Sequence, residues 1–324
     1  MERWSGVLKV TLDPSSRAYY RVAASLCLAP SSKSLTIPSA HAIFFNGDRV
    51  EGTGNPVIER LSDLQNLTDI LVSKLGASVN AWVIESSIFN GPFAVYKDFI
   101  PSVNYRGEPK TYSPHGFPAS TSIVLLLSKC LEEQAQNVIP GGHQKPSSSC
   151  PRVPKTVVLG FSKGGAVLNQ IVTELAYSSI ENKVGTTKLK QPVGGNFSRD
   201  QEEEQIIPNS KESFLSSISE IHYVDVGLNS AGAYLTDPDV VSRISEHVMG
   251  GGSEIHFGLH GTPRQWCDGM RSWIRNEKDR LLHLLQDASK KSGGKLKVCE
   301  KFYFADKRPD MQMHFEIIER LDMS

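Results

Sequence analysis

Lys155-Thr156-Val157-Val158-Leu159-Gly160-Phe161-Ser162-Lys163-Gly164-Gly165-Ala166 is the stretch whose reading decides the fold. Thr156 to Leu159 is a continuous apolar and β-branched run, the composition of a strand covered on both faces. Small residues follow it, then a helical pattern, so the stretch predicts a strand, a tight turn and a helix in immediate succession. A G-x-S-x-G string on such a turn has a mechanical meaning. Its serine sits in a strained backbone conformation that lifts the hydroxyl above the end of the sheet. Side chains at the flanking positions would collide there, and Gly160 and Gly164 remove them. Ser162 is therefore the candidate nucleophile. The backbone amide of Lys163, at the start of the helix, is a candidate oxyanion donor aided by the helix dipole.

Working outward, strand-like segments fall at 6–12, 19–28, 40–46, 80–86, 155–160, 220–226, 253–259 and 296–305. A single amphipathic helix is expected over 56–75, where Ile58, Leu61, Leu64, Leu67, Ile70, Leu71 and Leu75 share a stripe. Further helices are expected at 120–138, 163–177, 237–249, 265–287 and 313–321. The opening strands are joined by short turn-rich connections, whereas the later ones alternate with helices, as a mostly parallel sheet requires. That order predicts an α/β-hydrolase fold. It is read as a single domain over residues 1–324, with one mostly parallel eight-stranded sheet and helices on both faces. Flexible insertions are expected at 139–154, rich in Gly, Ser and Pro, and at 184–213, which is polar and charged.

The bulk numbers narrow the function. Thirty-five basic residues balance thirty-five acidic ones, so no global field collects nucleic acid or anionic lipid. No apolar run approaches the roughly 20 residues that cross a bilayer. The five cysteines, Cys27, Cys130, Cys150, Cys267 and Cys299, are scattered and form no CxxC pair, which reads as reduced thiols rather than zinc or redox chemistry. No H-E-x-x-H and no GxxxxGK[ST] string is present, and nothing in the sequence calls for a metal or a cofactor.

A serine hydroxyl needs a histidine to take its proton, and that histidine needs a carboxylate to fix its tautomer. In this fold the chain order is Ser, acid, His. Among the histidines after Ser162, His222 and His256 lie inside strands, His283 lies in a helix, and His260 belongs to a turn. His314 alone follows the last strand and is the candidate base. The Asp often found after the seventh strand in a His-Gly-x-x-Asp string is replaced here by Arg264 in His260-Gly261-Thr262-Pro263-Arg264. Asp225, at the end of the sixth strand, is then the preferred acid; Asp237, Asp268 and Asp306 remain alternatives. The second oxyanion donor is expected from the loop after the third strand, as a backbone amide of Gly47 or Asp48.

Three segments together carry a narrower likeness: Gly160-Phe161-Ser162-Lys163-Gly164-Gly165, Tyr223-Val224-Asp225-Val226-Gly227-Leu228-Asn229 and His260-Gly261-Thr262-Pro263-Arg264-Gln265-Trp266. With Phe44-Phe45-Asn46-Gly47-Asp48 they resemble the family of the mitochondrial protein called chromosome 2 open reading frame 69, from the third strand to the final helix. The resemblance implies a hydrolase-like fold and mitochondrial residence and supplies no substrate. By itself the N-terminal segment, with Glu2 and Asp13 and no excess of Arg, leans cytosolic. Two functions are carried forward. One is a serine hydrolase of ester, thioester or lipid-like acyl bonds acting on a small molecule. The other is a catalytically silent scaffold that binds a protein partner.

Overall fold

The structure, a computed structural model, describes residues 2–137, 154–185 and 206–323. Eight strands form the main sheet: β1 (Glu2–Val10), β2 (Tyr20–Leu28), β3 (Ala40–Asn46), β4 (Val79–Glu85), β5 (Lys155–Phe161), β6 (Ile218–Val224), β7 (Ile255–Gly261) and β8 (Leu296–Phe302). Their spatial order is β1-β2-β4-β3-β5-β6-β7-β8. β2 runs antiparallel to both β1 and β4, and the remaining neighbours pair in parallel. This order, with β3 and β4 exchanged and helical crossovers between the parallel strands, is the α/β-hydrolase fold. A separate hairpin pairs Phe89–Asn90 with Phe93–Ala94.

The sheet order fixes where a site belongs. From β3 the chain moves outward to β4, and from β5 it moves the other way to β6, so the winding reverses between β3 and β5. Ligands of open α/β sheets bind outside the carboxyl ends of the strands at such a reversal. The loops that leave those two strands carry Gly47 and Asp48 on one side and Ser162 on the other.

Alternation along the strands sends successive side chains to opposite faces. Phe44 stacks on Phe161 with ring centroids 6.2 Å apart, while Phe45 turns away to meet Tyr96 and Phe99 edge-on at 5.7 and 5.5 Å. Phe44, Val83, Leu159 and Phe161 form one core with α1 (Pro56–Leu61), α2 (Leu64–Leu75) and α9 (Met311–Arg320). Phe45, Trp82, Val158 and Tyr223 form the other, under α3 (Pro118–Asn137), α4 (Gly165–Gly185), α6 (Pro238–Met249) and α8 (Ser272–Lys291). Each such large side chain contributes about 1.5–3 kcal/mol by leaving water.

Two expected helices are each divided. The helix over 56–75 is split into α1 and α2, because Asp63 takes an extended backbone and its carboxylate accepts from Asn66 N, restarting the helix. The helix over 265–287 is likewise split into α7 (Pro263–Trp266) and α8, with Asp268 capping a short 3₁₀ turn between them. The apolar stripe runs through both breaks, whereas the breaks themselves are set by Asp side chains competing for backbone amides. Of the expected insertions, 139–153 and 186–205 lie outside the described residues, as does Cys150. Where the second is described again, Ser210 caps α5 (Lys211–Ser217) through a capping box with Ser213.

Candidate active site

β5 ends in a 3₁₀ turn, Ser162–Gly164, that leads directly into α4. Ser162 has φ 51°, the left-handed region that a β-carbon disfavours. The turn is held against β3 with no room for side chains. A Cβ on Gly164 would lie 2.0 Å from the Phe45 carbonyl oxygen, and one on Gly160 would lie 2.7 Å from the Gly164 carbonyl oxygen. Gly47 approaches from the other loop just as closely: its Cβ would lie 2.2 Å from Phe161 O and 2.3 Å from Lys163 N. The loop after β3 is therefore flush against the amide that opens the turn.

Asp225 follows the last residue of β6 and also has a left-handed backbone, φ 44°, a conformation that Asp tolerates better than most residues. Its N–H donates to His260 O at 2.7 Å. Its fully buried carboxylate accepts from Thr262 N at 2.7 Å and Thr262 Oγ1 at 3.0 Å, and lies 2.6 Å from His314 Nδ1. Thr262 is the N-cap of α7, with its Oγ1 accepting from Arg264 N. The His260-Gly261-Thr262-Pro263-Arg264 segment, which lacks the Asp looked for there, thus supplies donors to the Asp of the neighbouring strand. The alternative acids are placed otherwise: Asp237 and Asp268 cap helical turns, and Asp306 is exposed in the loop before α9.

His314 lies in the first turn of α9, which starts where Asp310 accepts from Met313 N. Its ring packs on Phe161, with centroids 4.6 Å apart, directly beside the Ser162 turn. Ser162, Asp225 and His314, scattered in sequence, are thereby gathered at the carboxyl ends of β5 and β6.

The side chain of Asp48 was not expected in this group. Its Oδ2 lies 3.0 Å from His314 Nε2, the ring nitrogen that faces away from Asp225. The imidazole therefore bridges two buried carboxylates, and Nε2 is engaged by Asp48 and not by Ser162. Burial opposes a charge on this ring, yet the hydrogen bonds and proximity of Asp225 and then Asp48 outweigh it and raise the His314 pKa from 6.5 to about 9. In this arrangement His314 is an imidazolium at neutral pH.

Behind the turn, Lys163 Nζ pairs with Glu108 Oε1 at 2.6 Å, with both side chains almost fully buried. Glu108 Oε2 also accepts from Ser230 N at 3.2 Å and Ser230 Oγ at 2.9 Å, and the Lys163 ammonium sits 4.9 Å from the Phe93 ring centroid. The pair ties the loop after the hairpin, the Ser162 turn and the loop after β6 together. Nothing in the spacing of Glu108, Thr262 or the Asp48 side chain pointed to these contacts; the signal for Thr262 was its place at a strand end before Pro263, where a helix cap is expected.

The other histidines of the sheet are engaged elsewhere. Glu220, His222, His260 and Tyr303 form a chain of hydrogen bonds, each 3.0 Å long, across β6, β7 and the end of β8. Gly258 leaves the gap in which His222 and His260 meet. Among the described residues no group of His, Cys, Asp and Glu is arranged to hold a metal ion, and no helix is long and apolar enough to cross a membrane.

Three comparisons bear on this arrangement. The sequence model of the family described as C2orf69 matches residues 119–291, just over half of the 324-residue chain. The mitochondrial protein C2orf69 homolog of Danio rerio is 26% identical over 243 residues, covering 74% of this chain and 59% of that protein. The Mus musculus homolog is 24% identical over 298 residues, covering 79% of this chain and 69% of that protein. The human protein, mitochondrial protein C2orf69, is 26% identical over 164 residues, covering 50% of this chain and 32% of that one. Among solved structures, the siderophore hydrolase EstA of Aspergillus nidulans aligns with TM-score 0.49 and 13% identity, over 98% of this chain and 92% of that one. The feruloyl esterase module of Clostridium thermocellum aligns with TM-score 0.42 and 11% identity, over 97% and 86%. The fold is defined by the strand order rather than by these alignments. The motifs around Ser162 and Asp225 fall within the matched segment, and the chain belongs to the C2orf69 family.

Proposed function

We propose that the protein is a serine hydrolase of ester, thioester or lipid-like acyl bonds in a small-molecule substrate. The observation that carries this reading is the 2.6 Å bond between Asp225 and His314, set beside a strand-to-helix turn that holds Ser162 at φ 51°. With the His314 ring neutral and its Nε2 released from Asp48, Ser162 Oγ attacks the acyl carbon while its proton passes to Nε2, with Asp225 holding the ring by Nδ1. The amide of Lys163 and an amide of the loop at Gly47 and Asp48 take the negative charge on the former carbonyl oxygen. As the bond to the leaving group breaks, the imidazolium returns the proton to it, and an acyl-serine remains. Water, deprotonated by the same imidazole, then releases the acid and restores the serine. By the names of its relatives, we place this activity in mitochondria.

One observation favours the second reading, a silent scaffold for a protein partner: Asp48 occupies the ring nitrogen that the serine needs. Treatment of the purified protein with a fluorophosphonate, with mapping of the labelled peptide, separates the two. Labelling of Ser162 that disappears in His314→Ala supports the hydrolase. A folded protein that stays unlabelled from pH 6 to pH 10, with small probes as well as large, excludes it.

A further inference from the structure

We infer that Asp48 is a latch on the candidate base, holding His314 Nε2 away from Ser162 until a hydrogen-bond donor of the substrate takes over its carboxylate. The inference rests on the hydrolase reading and concerns the regulation of the same site.

The geometry carries it. His314 has two ring nitrogens, and both are bonded to carboxylates, Nδ1 to Asp225 and Nε2 to Asp48. For Nε2 to accept the serine proton it must first be free of the second bond and of its own proton. The two acids are not equivalent. Asp225 is anchored by two donors of Thr262, whereas Asp48 Oδ1 is buried and has no hydrogen-bond partner. A buried carboxylate oxygen without a donor is costly and is readily satisfied by a hydroxyl or ammonium that reaches it. The cations of the two loops that meet here are committed elsewhere: Arg49 to Glu85 and Lys163 to Glu108. His314 is therefore the cation that Asp48 binds, and a substrate bearing such a donor competes directly for it.

Among the described residues, Asp225 and Asp48 are the charges that act on the ring. Phe161 faces it from β5. On α1, Arg60 is paired with Glu319 at the far end of α9, and on α2, Lys74 donates to the carbonyl oxygens of Glu319 and Leu321. Within α9, Glu316 is engaged by Gln312 and Arg320. Past β8, Lys301 pairs with Asp322, and on α7 the charge of Arg264 acts on Asp268. Removing the negative charge of Asp48 thus removes one of the two groups that keep the ring protonated.

The test compares wild type with Asp48→Asn, and with Asp48→Ser as a second variant. The His314 imidazole is titrated by NMR, and the rate of fluorophosphonate labelling is followed from pH 6 to pH 10. In wild type the labelling rate should rise with pH as His314 loses its proton. In the variants the ring should titrate at least one unit lower, which raises its neutral fraction at pH 7 about tenfold and the labelling rate with it. A ring that titrates unchanged in both variants overturns the latch, as does a lowered titration with no faster labelling. Those results leave the hydrolase reading intact so long as wild type labels. Absence of labelling in all three proteins up to pH 10 overturns both.

Discussion

Thr262 gives the carboxylate of Asp225 two donors at once, its backbone N–H at 2.7 Å and its hydroxyl at 3.0 Å. The acid is thus oriented from one strand end while it orients a histidine on a helix. Thr262→Val keeps the shape and the N–H but removes the hydroxyl. It should cost about 1–3 kcal/mol, read as a lower midpoint in urea, because a buried carboxylate loses a donor. It should also slow labelling of Ser162 by roughly tenfold, the kinetic equivalent of about 1.4 kcal/mol, while Thr262→Ser retains both properties.

The Lys163 and Glu108 side chains are paired out of water, so removal of one strands the other. Glu108→Leu or Lys163→Met alone should destabilise the fold by about 3–5 kcal/mol, and the double variant should recover most of that loss. Equilibrium unfolding of the three variants, taken as a double-mutant cycle, measures the recovery. Additive losses would show that the pair contributes no coupling.

The raised pKa of His314 has a definite sign in stability. The folded state holds its proton to about pH 9, whereas the unfolded chain releases it near 6.5. The resulting stabilisation is complete below pH 6.5 and is lost as the pH rises through about 9. Urea unfolding of wild type at several pH values in this window should show falling stability. His314→Gln should lack that component, and identical pH slopes for the two proteins would contradict the buried imidazolium.

Gly47 lies where any side chain would run into the backbone of the Ser162 turn. Gly47→Ala should therefore displace the turn or the loop, with a loss of about 1–3 kcal/mol from overpacking and a much larger drop in labelling. Thermal denaturation and labelling measured on the same sample distinguish local displacement from global unfolding.

Gly258 offers a contrast. A Cβ there would meet His222 Nδ1 at 2.3 Å and His260 Nε2 at 2.6 Å. Gly258→Ala should separate the two rings at a cost of about 1–3 kcal/mol. It should leave the labelling rate per folded molecule within about twofold, because neither ring touches Ser162, Asp225 or His314 in the network described. A collapse of labelling in a stable variant would tie this chain to the site.

Strand composition and helix periodicity carried the architecture, because the buried strands are nearly unbroken apolar runs and the helices bury one stripe each. The place of Ser162 on a strand-to-helix turn and the pairing of Asp225, at a strand end, with His314, after the last strand, were legible from chain order and position. The divisions after Leu61 and Trp266 were not legible, since an apolar stripe continues across each while a neighbouring Asp caps the next turn. The engagement of Asp48 with His314 was hidden for a different reason: 266 residues separate the two, and only the reversal of winding at β3 and β5 places one loop over the other. A carboxylate in that loop reads locally as a turn residue. Glu108 and Lys163 each read locally as surface charges, and only the packed fold brings them together.

The place of His314 on α9 also sets an order of events during synthesis. By the time β6 is complete, a nascent chain already holds the turn with Ser162 and the strand end with Asp225. It lacks the imidazole until α9 has left the ribosome and docked against Phe161. On the hydrolase reading, partly made chains and a product truncated before Met311 therefore lack the base. In one step α9 completes the core on its face of the sheet and brings His314 to Asp225.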